Sequence, residues 1–143
     1  MASPRADEDA LMDSLARAAR RAGHEVDRVA AAASDHRRKF RFRQLRIDGR
    51  LHAVHFLAHV RRRQNRRVEY VNATLGCRKL ETVPFHLFCL LQYRRPKYIV
   101  VSSTRLLKFF FKGTDRRRYT CYINLAGTPG TSFDFWRYQV DWC

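Results

Sequence analysis

The four cysteines, Cys77, Cys89, Cys121 and Cys143, form no Cys-x-x-Cys pair, so the ligand spacing of a zinc ribbon or knuckle is missing. Their scatter fits buried thiols in a reducing compartment, and a disulfide between two of them stays open. No apolar run approaches the roughly 18 residues of a membrane span. The first nine residues are acidic and polar, without the apolar stretch of a secretory signal. The six glycines stand singly at turns, so there is no phosphate-cradling loop. Ser102-Ser103-Thr104 lacks the glycines of a hydrolase elbow and suits a helix cap better than a nucleophile. Cys89 lies in an apolar run with nothing beside it to lower its pKa, which favours a core role.

Acidic residues are also scarce. Thirteen face 29 lysines and arginines, a net charge of +16. Many of the cations are clustered, as Arg37-Arg38-Lys39, Arg61-Arg62-Arg63, Arg66-Arg67, Arg94-Arg95 and Arg116-Arg117-Arg118. Such a surface attracts a polyanion and releases its counterions on binding. Nucleic acid is the first partner to consider and an anionic membrane surface the competitor. Ten Phe, six Tyr and two Trp supply a core that a disordered basic tail would lack. The length of 143 residues predicts one domain, 1–143, with residues 1–6 as a flexible N-terminus. The expected location is cytoplasmic, with nucleoid association open.

Ser3-Pro4 before Asp7, Glu8 and Asp9 marks a helix start, because anions suit the positive end of the helix dipole. Leu11, Leu15, Ala18 and Ala22 form an apolar stripe, and Gly23 is the stop, so the spacing predicts a helix over 7–22. Residues 24–36 read either as a second helix or as a short strand at Glu25–Val29. Strands follow. Phe40–Ile47 and Leu51–Val60 flank Asp48-Gly49, a two-residue type I′ signal that sets Ile47 opposite Arg50, Phe42 opposite His55 and Phe40 opposite Leu57. Leu51–Val60 is apolar on both faces, as a covered central strand is. Arg61–Arg67 reads as a loop and Val68–Leu75 as a third strand antiparallel to the second. Phe85–Leu91 and Tyr98–Ser102 are strands split by Arg94-Arg95-Pro96. Ser103 or Thr104 is placed to cap a short helix, Tyr119–Leu125 alternates as a strand, and Phe133–Trp142 is a packed terminal element.

This order, with the run Lys97-Tyr98-Ile99-Val100-Val101-Ser102-Ser103-Thr104-Arg105-Leu106, resembles the PD-(D/E)XK nuclease superfamily. It is most similar to the small endonucleases of intron-encoded and very-short-patch-repair type, over roughly residues 8–142. The resemblance implies an α/β fold of the restriction-endonuclease kind, an N-terminal helix followed by a mixed central β-sheet, and DNA rather than RNA as partner. The chain departs from the family where chemistry is concerned. Those nucleases hold a divalent metal between an Asp on one strand and a Glu-x-Lys on the next. Neither Phe40–Ile47 nor Leu51–Val60 contains an acid.

Three functions follow as expectations. The first is a DNA-binding protein with a degenerate catalytic set and no cofactor. Its contacts come from Arg61, Arg62, Arg63, Arg66 and Arg67, which repel one another until phosphates neutralise them, with Gln64 and Asn65 placed to reach base edges. Arg94, Arg95, Arg116, Arg117 and Arg118 add further phosphate contacts. The second is a metal-dependent endonuclease using Mg²⁺ with relocated ligands, for which Glu69, His55 and His59 are the candidates; the competing reading makes both histidines packing residues and pairs Glu69 with an arginine. The third is a ribonucleoprotein or complex-assembly subunit, or a homodimer, docking through Phe109-Phe110-Phe111. Tyr119 and Tyr122 are strand positions from which bases can be stacked, which keeps RNA open.

Overall fold

A computed structural model describes residues 4–29, 44–62, 69–76, 82–109, 111–112, 118–125 and 135–142. The first element is helix α1, Pro4–Arg21. It buries Met12, Leu15, Ala16, Ala18 and Ala19, while Leu11 is half-buried and Ala22 exposed. The buried stripe is thus turned by one position from the expected one. Ala22 follows the last helical residue, although its N–H still donates to the Ala18 carbonyl (3.1 Å). Gly23 ends the helix at φ +97°, where its N–H donates to the Arg20 carbonyl (3.0 Å) and the His24 N–H to the Ala19 carbonyl (3.1 Å). This double bond pattern needs a left-handed residue after the helix, which glycine adopts without strain.

Residues 24–29 resolve as strand β1, Val26–Arg28, rather than a helix. Strands β2 (Gln44–Ile47) and β3 (Arg50–Leu57) form the expected hairpin, with Ile47 opposite Arg50. Asp48 and Gly49 take φ +51° and +80°, as a type I′ turn demands. Phe40 and Phe42, and the second-helix alternative at residues 30–36, lie outside the described residues. Asp48 also ties β1 to the turn, since its carboxylate accepts the Glu25 N–H (2.9 Å) and meets His24 Nδ1 at 2.6 Å.

Beyond β3 lie β4 (Arg61–Arg62), β5 (Glu69–Gly76), β6 (Phe85–Leu90), β7 (Lys97–Ser102), helix α2 (Ser103–Phe109), β8 (Phe111–Lys112), β9 (Arg118–Asn124), a 3₁₀ turn at Phe135–Tyr138 and β10 (Gln139–Val140). The helix α1 is followed by a mixed six-stranded sheet of order β1-β2-β3-β6-β7-β10, an α/β arrangement. Within it β3 and β6 are parallel and the other pairs antiparallel. β3 is central, as expected.

The third strand is a correction. β5 does not pair with β3; it joins a second, four-stranded sheet of order β4-β5-β9-β8. The reason is its pattern. Val71, Ala73 and Leu75 are buried while Asn72 between them is only half-buried, so the strand has one apolar face. The place beside β3 is covered on both sides and takes the continuous apolar run of β6 instead. Arg61 and Arg62 are likewise strand residues of this second sheet rather than loop residues.

Two cores result. One lies between α1 and the six-stranded sheet, with Met12, Leu15, Leu45, Val54, Leu87, Cys89 and Trp142. The other lies between that sheet's opposite face, the second sheet and α2, with Val71, Leu75, Phe88, Leu90, Ile99, Leu106, Ile123 and Phe135. The alternation along β6 explains the division, as Leu87 and Cys89 face one core and Phe88 and Leu90 the other.

Candidate nucleic-acid interface

Because β3 and β6 run parallel, their C-terminal ends lie side by side; the Leu91 N–H donates to the Leu57 carbonyl at 3.0 Å. From this end leave the chain toward β4 and the 91–96 turn that carries Arg94 and Arg95. The second sheet adds to the same end. The Leu125 N–H donates to the Glu69 carbonyl (2.9 Å), and the Tyr93 hydroxyl donates to the Leu125 carbonyl (3.4 Å). The start of β5 and the end of β9 therefore border the Arg94-Arg95 turn. Arg61 and Arg62 pair in register with Tyr70 and Glu69 at this border. Arg63, Gln64, Asn65, Arg66 and Arg67 lie outside the described residues.

The third cluster is elsewhere. Arg118 pairs with Gly76, whereas Asn124 pairs with Tyr70. Six strand steps separate these pairs, about 20 Å. Arg118 thus starts β9 at the far end of the second sheet; Arg116 and Arg117, like Arg37, Arg38 and Lys39, lie outside the described residues. The structure brings together two of the arginine groups and separates a third.

The 91–96 turn is organised by aromatic rings. Tyr93 meets Trp136 edge to face, with centroids 6.2 Å apart and planes at 81°. Lys97 Nζ sits 4.2 Å from the Tyr93 ring centroid and 5.3 Å from that of Trp136. Such a cation–π contact holds the ammonium in place by electrostatic attraction to the ring face. Burial, joined by the negative charge of Glu69, pushes the Tyr93 phenol above its ordinary value, so it stays a donor. Arg94 and Arg95 are exposed, and among the described residues no carboxylate pairs with them or with Lys97. Arg28, by contrast, bridges Asp9 (2.9 Å) and Asp13 (3.3 Å) on α1. Both amide atoms of Gln92 are buried without a partner. Tyr93, Trp136 and Gln92 were not anticipated from the sequence. The signal was the adjacency of Tyr93, Arg94, Arg95 and Lys97; the position of Trp136 needed the fold.

The proposed metal candidates have other settings. Glu69 belongs to the second sheet and His59 is an exposed residue after β3. His55 stacks between His86 (5.3 Å) and Phe88 (5.2 Å), and its Nε2 lies 3.0 Å from His86 Nδ1. Among the described residues no three His, Cys, Asp or Glu side chains gather as metal ligands would. His86 is wholly buried, and its Nε2 lies 2.8 Å from Ser103 Oγ. Ser103 in turn donates to the Val83 carbonyl. A carbonyl can only accept, so the single Ser103 proton is spent there, and Ser103 accepts from His86 Nε2–H. Neutral His86 then accepts at Nδ1 from His55 Nε2–H. The hydroxyl proton points away from the imidazole, which is the reverse of a nucleophilic serine. Of the cap candidates Ser102, Ser103 and Thr104, the first takes the role. Ser102 Oγ accepts the Arg105 N–H (3.2 Å) and caps α2, which frees Ser103 for the histidine chain. Burial pushes the Cys89 thiol up to about 12, in keeping with its place in the core.

No protein-family model, curated protein or solved structure matches the chain. Among the described residues no helix is long and apolar enough to cross a membrane.

Proposed function

We propose that this protein binds nucleic acid, with DNA favoured over RNA, through arginine-rich turns at one end of its sheets. The observation that carries the reading is the convergence of the β4–β5 strand ends, the exposed Arg94-Arg95 pair and Lys97 at that end, on a chain of net charge +16. Cations without acidic partners are stabilised by phosphates, which displace condensed counterions. The preference for DNA, and the scaffold as a relative of the PD-(D/E)XK nucleases, rest on the helix, hairpin and mixed sheet in that order. The role is holding a strand rather than cutting it. What supports this is the composition of the hairpin, since neither Gln44–Ile47 nor Arg50–Leu57 contains a carboxylate.

The test is the salt dependence of DNA affinity. Each phosphate contact contributes roughly 0.7 to 0.9 to the slope of log K against log salt. Replacing Arg94 and Arg95 together by Ala should flatten that slope by between about 1 and 2. The Arg116→Ala, Arg117→Ala, Arg118→Ala triple variant should flatten it less. An Arg94/Arg95 variant with the wild-type slope removes this end from the interface.

A further inference from the structure

The 91–96 turn does more than collect charge. Lys97, which follows the turn at the start of β7, stands against two half-buried aromatic rings, Tyr93 and Trp136, whose mutual geometry is fixed by an edge-to-face contact and by the Tyr93 bond to Leu125. We infer that this end receives an unpaired strand in preference to a duplex, an inference that rests on the nucleic-acid reading above and names its substrate class.

In a duplex the base faces are already stacked on one another, and an aromatic ring at the protein surface meets only sugar and phosphate. In a single strand each base has a face to offer, and any base can use it. In the free protein the Lys97 ammonium occupies the Tyr93 face, 4.2 Å from its centroid, and no carboxylate among the described residues holds it there. A phosphate is a stronger partner for an ammonium than a ring is. As the backbone arrives between Lys97, Arg94 and Arg95, Lys97 turns to the phosphate and vacates the ring. The adjoining base then stacks on Tyr93 against Trp136. Pro96 fixes its own φ and so stiffens the backbone just before Lys97. The same exchange explains why a charged side chain is kept half-buried on an aromatic pair at an otherwise open turn. A large positive excess makes a polyanion the occupant rather than an apolar peptide.

The experiment compares a short oligothymidylate strand with a blunt duplex of matched phosphate count, at low salt, by titration while following Trp emission. The chain has two tryptophans, and Trp142 is buried against Tyr98 on the opposite core, so quenching reports Trp136. A Trp142→Phe variant isolates Trp136; where that substitution loosens the fold, the wild-type signal is read. The expected result is tighter binding of the strand, with quenching by the strand and not by the duplex. Trp136→Leu, checked for an unchanged circular dichroism spectrum, should weaken strand binding roughly tenfold and leave duplex binding as it was. Equal affinities with unmoved emission would overturn the inference while leaving nucleic-acid binding in place. Binding of neither ligand would overturn the reading beneath it as well.

Discussion

At the scale of single residues the most consequential group is Ser103, because a buried histidine depends on it. Ser103→Ala removes the hydroxyl that meets His86 Nε2 at 2.8 Å in a place water does not reach. An unmade buried hydrogen bond costs about 1–3 kcal/mol. Urea unfolding should show that loss, and a smaller one would mean that the chain from His55 to Val83 is not maintained in solution. His52 gives a pH signature. Burial holds its pKa below the ordinary 6.5, while its Nδ1–H bond to the Arg50 carbonyl (2.7 Å) opposes the shift only in part. The unfolded chain therefore binds the proton more readily. The native state keeps its full advantage above 6.5 and loses it as the pH falls from there through the lower folded value. His52→Phe should flatten the difference between urea midpoints at about pH 7.5 and about pH 5. Taken one at a time, these histidines carry no signal. His55 and His86 are 31 positions apart, and only the parallel pairing of β3 with β6 brings their rings together.

At the scale of elements, local chemistry was decisive wherever the partner was close in sequence. The turn between β2 and β3 depends on two consecutive residues with positive φ, and a Cβ built on Gly49 meets nothing within 4 Å. The cost of Gly49→Ala is then purely conformational, about 1–2 kcal/mol. A thermal or urea midpoint should register it, and no change would show that the turn relaxes to another type. The helix α1 was legible from its dipole-matched charges, its apolar spacing and Gly23, although its buried stripe was displaced by one position. β5 was legible as a strand but not in its pairing. Antiparallel order by sequence proximity would put it on β3. The choice between a two-faced and a one-faced environment sent it to the second sheet, and that choice depends on β6, which lies further along the chain.

For the whole molecule, position matters more than the number of arginines. Clusters that look equivalent in sequence are divided by the second sheet, with Arg94 and Arg95 at one end and Arg118 some six strand steps away at the other. The smaller change in salt slope expected for the distant triple variant follows from this. Arg118 starts its strand about 20 Å from the other end of the sheet, beyond the Debye length of roughly 8–10 Å at ordinary salt, where a charge acts on approach more than on the bound state. Composition by itself determined the net charge of +16 on which the proposed partner rests, because net charge is a sum over residues and no folding alters it. The order of neighbouring residues determined the helix and the hairpin, whose bonds join residues a few positions apart. The grouping of Lys97 with Tyr93 and Trp136, the burial of His86 on Ser103 and the separation of the arginine clusters were decided by tertiary structure alone. Trp136 lies some forty positions from Tyr93 and Lys97, Ser103 lies 17 from His86, and the arginine clusters are parted by strand pairing, so each arrangement exists only once the sheets have packed.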